Sequence, residues 1–190
     1  MPSTKRPPEP WDSFLKELDA AVDTPVRLDC IGGFVVTQFY GLHRPTADVD
    51  VIELAPRESA ETVMALALRG GPLSRKYLIY IDRVAVAAVP ENYEERLAEM
   101  FPGAYQHLRL MALDPYDLAL SKLERNGQKD RDDVRFLAAS VPLDLDILND
   151  RYATELRWQL GVPAREDLTL RLWIEMIQED REAGPAIAES

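Results

Sequence analysis

The segment Asp48-Val49-Asp50-Val51-Ile52 alternates carboxylates with apolar β-branched residues, and that alternation is the strongest constraint on what this chain can become. Successive side chains of a strand point to opposite faces, so Asp48 and Asp50 share one face while Val49 and Val51 share the other. The strand therefore belongs in a sheet with one covered face and one open face. Same-face neighbours lie roughly 7 Å apart, close enough for two carboxylates to share one or two divalent cations. Without a cation the pair repels, and one member tends to take up a proton. The ordinary alternative is a solvated strand edge, so the pair alone assigns no function.

The flanking pattern supplies the rest of a sheet. Trp11, Phe14, Leu15, Leu18 and Val22 recur at helical spacing, Val26 to Ile31 reads as a strand, and Gly32-Gly33 as a tight turn. Phe34 to Tyr40 reads as a short buried helix closed by Gly41, and Ala47 to Leu54 as the next strand. Arg57 to Arg69 has helical spacing and stops at Gly70-Gly71-Pro72. Tyr77 to Ile81 and Val84 to Val89 read as two strands joined by an Asp82-Arg83 hairpin turn, Asn92 to Met100 as a short helix, and Tyr105 to Leu113 as a further strand. Asp114 and Pro115 open a helix that Asn126-Gly127 closes. Helices follow near Asp130 to Ala139, Asp146 to Leu160 and Glu166 to Gln178. This order predicts an α+β fold, with a small mixed β-sheet flanked by helices and a C-terminal helical layer. Residues 11–140 are expected to form the α/β domain and 141–182 a helical extension, between flexible segments at 1–10 and 183–190.

At 190 residues, 46% of them hydrophobic, the chain can bury one substantial core with a helical annex. Its 22 basic and 33 acidic residues leave a net charge of −11, which excludes a surface-wide positive field and with it duplex DNA as a partner. A polyanion has to be held locally, on a basic face such as Lys122, Arg125, Lys129, Arg131 and Arg135. A single cysteine, Cys30, excludes an internal disulfide or a cysteine-built zinc site and fits a reducing cytoplasm. The opening residues lack the apolar run of a signal peptide, and no apolar stretch is long enough for a membrane span.

Two segments carry chemistry together. The first is Ile31-Gly32-Gly33, then Arg44-Pro45-Thr46, then Asp48-Val49-Asp50-Val51. Glycine lets a backbone come close to a phosphate, and paired carboxylates suit a hard cation. The second is Asp114-Pro115-Tyr116-Asp117-Leu118-Ala119-Leu120-Ser121-Lys122-Leu123, followed by Lys129-Asp130-Arg131-Asp132-Asp133-Val134. Jointly they resemble the nucleotidyltransferase superfamily of polymerase-β-like fold, and within it the bacterial nucleotidyltransferase-like proteins related to abortive-infection (AbiEii-type) toxins. The resemblance spans about residues 26 to 140. It implies a transferase that moves a nucleoside monophosphate from a nucleoside triphosphate (NTP) to a hydroxyl with Mg2+ (or Mn2+). Asp48 and Asp50 would hold the metal, and Gly32, Gly33, Arg44 and Thr46 would line the nucleotide. Lys122 would neutralise the leaving pyrophosphate, with Arg125 and Lys129 extending the positive lining and Asp130 and Asp133 orienting Lys122 or the nucleotide. The acceptor implied is a tRNA end or a protein side chain, and the partner an antitoxin.

Relatives of this kind often place a third carboxylate on a later strand to activate the attacking hydroxyl. Asp82 is the candidate here, but Asp82-Arg83 reads better as a hairpin turn. Two readings therefore stay open, an active transferase and an inactive nucleotidyltransferase fold that binds or senses a nucleotide. Trp158 and Trp173 read as core, Cys30 as an inert buried thiol, and His43 as a loop histidine.

Overall fold

Trp11, Phe14, Leu15 and Leu18 are all buried, and they commit helix α1 (Trp11–Ala20) to the covered face of a five-stranded sheet. The computed structural model describes residues 6–184, so most of the segments expected to be flexible at 1–10 and 183–190 fall outside it. The chain divides into two units, Met1–Ala87 with Tyr93–Asp114, and Ala88–Asn92 with Pro115–Ser190.

The first unit contains α1, β1 (Val26–Ile31), α2 (Gly32–Gln38), β2 (Asp48–Ala55), α3 (Arg57–Ala67), α4 (Pro72–Tyr77), β3 (Tyr80–Arg83), β4 (Ala98–Met100) and β5 (Leu108–Ala112). The strand order is β3-β2-β1-β5-β4. β1 runs antiparallel to β2 and parallel to β5, β2 runs parallel to β3, and β4 runs antiparallel to β5. Leu28, Cys30, Val49, Val51, Ile81 and Leu110 fill the covered face, each at most 1% exposed. The helix residues Trp11 and Phe34 are buried too, and their rings lie 4.8 Å apart. The alternate residues Arg27, Asp29, Glu53, Asp48, Asp50 and Asp82 fall on the other face. Asp19, at the end of α1, ties the helix to the sheet by accepting from the backbone N–H groups of Gln106, His107 and Leu108 at 2.9, 2.7 and 2.8 Å.

Three local expectations change in this unit. Tyr77 ends α4, because Gly71-Pro72 starts a helical turn with proline at its first position. Leu78 closes that helix at φ +61, and the strand begins only at Tyr80. Val84 to Val89 is not a strand. Val84 N–H makes the last bond to Val51, and Val86 is 87% exposed. The hairpin fails because β3 pairs in parallel with β2, so the chain leaves the sheet instead of doubling back. The helix expected at Asn92 to Met100 is a 3-10 turn (Tyr93–Arg96) followed by β4.

The second unit is helical, with α5 (Pro115–Leu120), α6 (Gln128–Ser140), α7 (Leu145–Arg151) and α8 (Pro163–Ala183). Leu118, Leu123, Val134, Leu137, Leu148, Leu156, Leu170, Trp173 and Ile177 are buried, and the Trp173 indole N–H donates to Asn126 at 3.1 Å. α5 stops at Leu120 and consecutive turns carry the chain to Asn126, so Lys122 stands on a turn and not in a helix. The single helix expected from Asp146 to Leu160 breaks into α7, a π-helical turn (Tyr152–Leu156) and a 3-10 turn (Arg157–Gln159). Those turns change the residues per turn, so Trp158 leaves the apolar stripe and is 65% exposed, contrary to the core position its spacing predicts. Among the described residues no helix is long and apolar enough to cross a membrane.

Candidate functional site

β1 ends at Ile31, the register partner of Asp50, and the chain turns into α2 at Gly32 with φ +71. A Cβ at Gly32 would stand 2.3 Å from Asp50 Oδ2, so both the backbone angle and the carboxylate require glycine there. A Cβ at Gly33 would stand 3.2 Å from Arg44 Nη2 and 3.2 Å from Thr46 Oγ1. Thr46 in turn donates its hydroxyl to Asp48 Oδ1 at 2.9 Å. Gly32, Gly33, Arg44, Thr46, Asp48 and Asp50, predicted from separate stretches of sequence, thus form one constellation at the end of β1.

The structure adds a residue that the sequence pattern assigned to a turn. Asp82 lies in β3 as the direct parallel partner of Asp50, while Tyr80 partners Asp48 and Ile81 partners Val49. Directly paired residues on neighbouring strands point to the same face across about 4.8 Å, so Asp48, Asp50 and Asp82 form a row of three carboxylates. Asp48 and Asp50 are half-buried and Asp82 is exposed. Among the described residues no group of three or more His, Cys, Asp or Glu is already gathered to hold a metal ion. The donors are all carboxylate oxygens, the type that suits Mg2+, which keeps several waters and completes its shell from substrate phosphates.

The same face continues with more charge. Asp29, register partner of Glu53, is fully buried and accepts from Arg27 Nη2 at 3.0 Å. Arg27 Nη2 also reaches Glu94 at 3.3 Å, whereas its Nε lies 3.0 Å from Asp29 Oδ1 without hydrogen-bond alignment. Burial pushes Asp29 up to about 6, against the lowering charge of Arg27 and with the raising charges of Glu94 and Glu53. Burial likewise pushes the Cys30 thiol up, which keeps it in its inert protonated form, and His43 is exposed.

In the helical unit a second constellation forms. Lys122 is 3% exposed, donates to Asp133 Oδ2 at 2.8 Å and lies 3.8 Å from Asp130 Oδ1. Arg125 Nε donates to Asp130 Oδ2 at 2.8 Å, and Gly127 N–H does so at 2.9 Å. Burial raises the Asp130 carboxyl, but the Arg125 and Gly127 hydrogen bonds, with the charges of Arg125 and Lys122, outweigh it and hold the group below the usual range. Two cations therefore balance two buried carboxylates, and Lys129 is left on the exposed side of α6.

In the first unit, carboxylate oxygens that suit a hard cation thus stand beside a glycine-opened helix start and the Arg44 guanidinium. The sequence model of a family described as "Nucleotidyltransferase of unknown function (DUF6036)" matches residues 11–181. No curated protein and no solved structure matches.

Proposed function

The chain belongs to this nucleotidyltransferase family, and from that premise we propose that it transfers a nucleoside monophosphate from an NTP to an acceptor hydroxyl. The observation that carries the reading is the register of Asp82 against Asp50, on the same face as Asp48 and beside the glycine turn. Asp82 would accept the proton of the acceptor hydroxyl, whose oxygen then attacks the α-phosphorus as the bond to the α,β-bridging oxygen breaks and pyrophosphate departs. Asp48 and Asp50 would hold Mg2+ or Mn2+, and Thr46, bonded to Asp48, would keep that carboxylate turned toward its task. The cation, when bound, neutralises the phosphate oxygens and the charge growing on the leaving group. Arg44, over Gly33, would pair with phosphate oxygens through its planar fork. For Lys122, Arg125 and Lys129 a phosphate role is supported by the sequence motif and by charge, with Asp130 and Asp133 positioning Lys122.

The acceptor we propose is an RNA end or a protein hydroxyl, and resemblance to the abortive-infection branch supports a toxin role in a toxin–antitoxin pair. The inactive, sensor-like reading rested on a doubtful third carboxylate, and the strand position of Asp82 beside Asp50 favours the active one. Purified protein with Mg2+ and each α-labelled NTP, given cell RNA and cell protein, is expected to label one of them, and Asp50→Asn is expected to abolish the label. Absence of label in the wild type with Mg2+ and Mn2+, across all four NTPs, would defeat the transferase reading.

A further inference from the structure

We infer that Arg69 and Tyr80 form the subsite for the acceptor's terminal nucleotide, an inference that rests on Asp48, Asp50 and Asp82 as the reacting centre. Tyr80 opens β3 opposite Asp48, so its side chain lies on the open face roughly 7 Å along the strand from Asp82. Arg69, from the turn after α3, lays its guanidinium over the Tyr80 ring with Cζ 4.2 Å from the centroid, and it hydrogen-bonds the Tyr80 hydroxyl. Tyr80 is half-buried and Arg69 exposed, so the stack ends in solvent.

The direction of attack selects this edge for the acceptor. In nucleotidyl transfer the incoming hydroxyl and the departing pyrophosphate lie in line on opposite sides of the α-phosphorus. Arg44, the cation over Gly33, stands on the β1 side of the carboxylate row, and Asp82 stands on the β3 side. Pyrophosphate held by Arg44 therefore sends the acceptor in over β3, the edge strand of the sheet among the described residues. Tyr80 and Arg69 are at that edge.

A guanidinium placed over an aromatic ring can offer a stacking surface to a nucleobase and N–H groups to the adjoining phosphate, a pairing suited to a nucleotide. An isolated exposed stack of this kind adds little to the fold, so a purely structural role would be slight. Asp29, Glu53 and Glu94 on the same face repel an extended backbone and confine the contact to the end of a single strand.

The test is fluorescence anisotropy of a 5′-labelled single-stranded RNA tetranucleotide with wild type, Tyr80→Leu, Arg69→Gln and Tyr80→Phe, alongside NTP affinity and thermal unfolding. The expected result is about tenfold weaker RNA binding in Tyr80→Leu and Arg69→Gln, near-wild-type binding in Tyr80→Phe, and unchanged NTP affinity and unfolding temperature. Absent RNA binding in the wild type, unchanged RNA binding in the variants, or a loss confined to NTP affinity overturns the inference. So does wild-type transfer to protein alone. RNA binding that follows this pattern in a protein that transfers nothing upholds the subsite while the transferase reading fails.

Discussion

Gly32 and Asp50 exclude any other pairing at their positions, because the Asp50 carboxylate occupies the space in which a Gly32 side chain would begin. The turn and the carboxylate are thus one device. Gly32→Ala is expected to push Asp50 out of the row and to strain a backbone at φ +71, costing roughly 1–3 kcal/mol. Denaturant midpoints measure the loss. Nucleotide transfer should fall further than the lost stability explains, and retention of full transfer would contradict the placement of Asp50.

Asp82→Asn keeps the shape of β3 and removes the proposed proton acceptor. Transfer is expected to drop by about 10²–10⁴-fold while NTP binding stays close to wild type. Single-turnover kinetics on the variant separates the two. A variant that transfers at the wild-type rate returns Asp82 to an ordinary strand residue.

The buried Asp29 makes stability depend on pH in a defined window. Its folded pKa, about 6, lies above the unfolded value near 3.9, so the folded state holds the proton more tightly. Its contribution is complete below pH 4 and is lost as pH rises toward 6. Asp29→Asn should flatten that descent in urea midpoints measured from pH 4 to 7, and an unchanged slope would rule out Asp29 as its source.

Asp19 acts with the opposite sign. Burial raises its pKa, but the three backbone N–H bonds outweigh that and lower it, so its contribution is present above about pH 4 and fades as pH falls through the folded value. Asp19→Ala leaves three N–H groups without their acceptor and should cost about 2 kcal/mol at pH 7. The deficit relative to wild type should narrow in acid.

Lys122→Met removes the ammonium that donates to buried Asp133, while Asp130 keeps Arg125 and Gly127, and is expected to destabilise by about 3–5 kcal/mol. Loss of activity in that variant alone therefore says little about phosphate. The double variant Lys122→Met, Asp133→Asn should recover part of the stability. Recovered stability with transfer still absent supports a phosphate role for Lys122, and recovered transfer reduces it to a structural ion pair.

What the sequence revealed follows from the range of the interactions. The Asp48-Val49-Asp50 alternation and the helices around Asp130 and Trp173 are local patterns, and each formed where expected, whereas Gly32-Gly33, read as a tight turn before a helix at Phe34, are the first residues of α2 itself. Asp82 was misassigned because the apolar run Tyr77 to Ile81 followed by Asp-Arg looks alike as a hairpin end and as a short strand. Only pairing with β2, some thirty residues away, distinguishes them. Trp158 was misplaced because a π-helical turn shifts the period without changing the composition. Tyr80 and Arg69 carried no signal at all, since an edge cation–π contact joins residues of two unrelated segments.

β3 is four residues long and, among the described residues, pairs only with β2. Its amides should exchange with solvent by local opening well before those of β1 and β2, which are flanked on both sides. The row of carboxylates is therefore divided between two levels of protection. Asp48 and Asp50 share the lifetime of the sheet's interior, whereas Asp82 can swing away with its strand while the rest of the unit stays folded. Anything that lies across β3, an acceptor strand included, would slow that exchange and hold the third carboxylate in register.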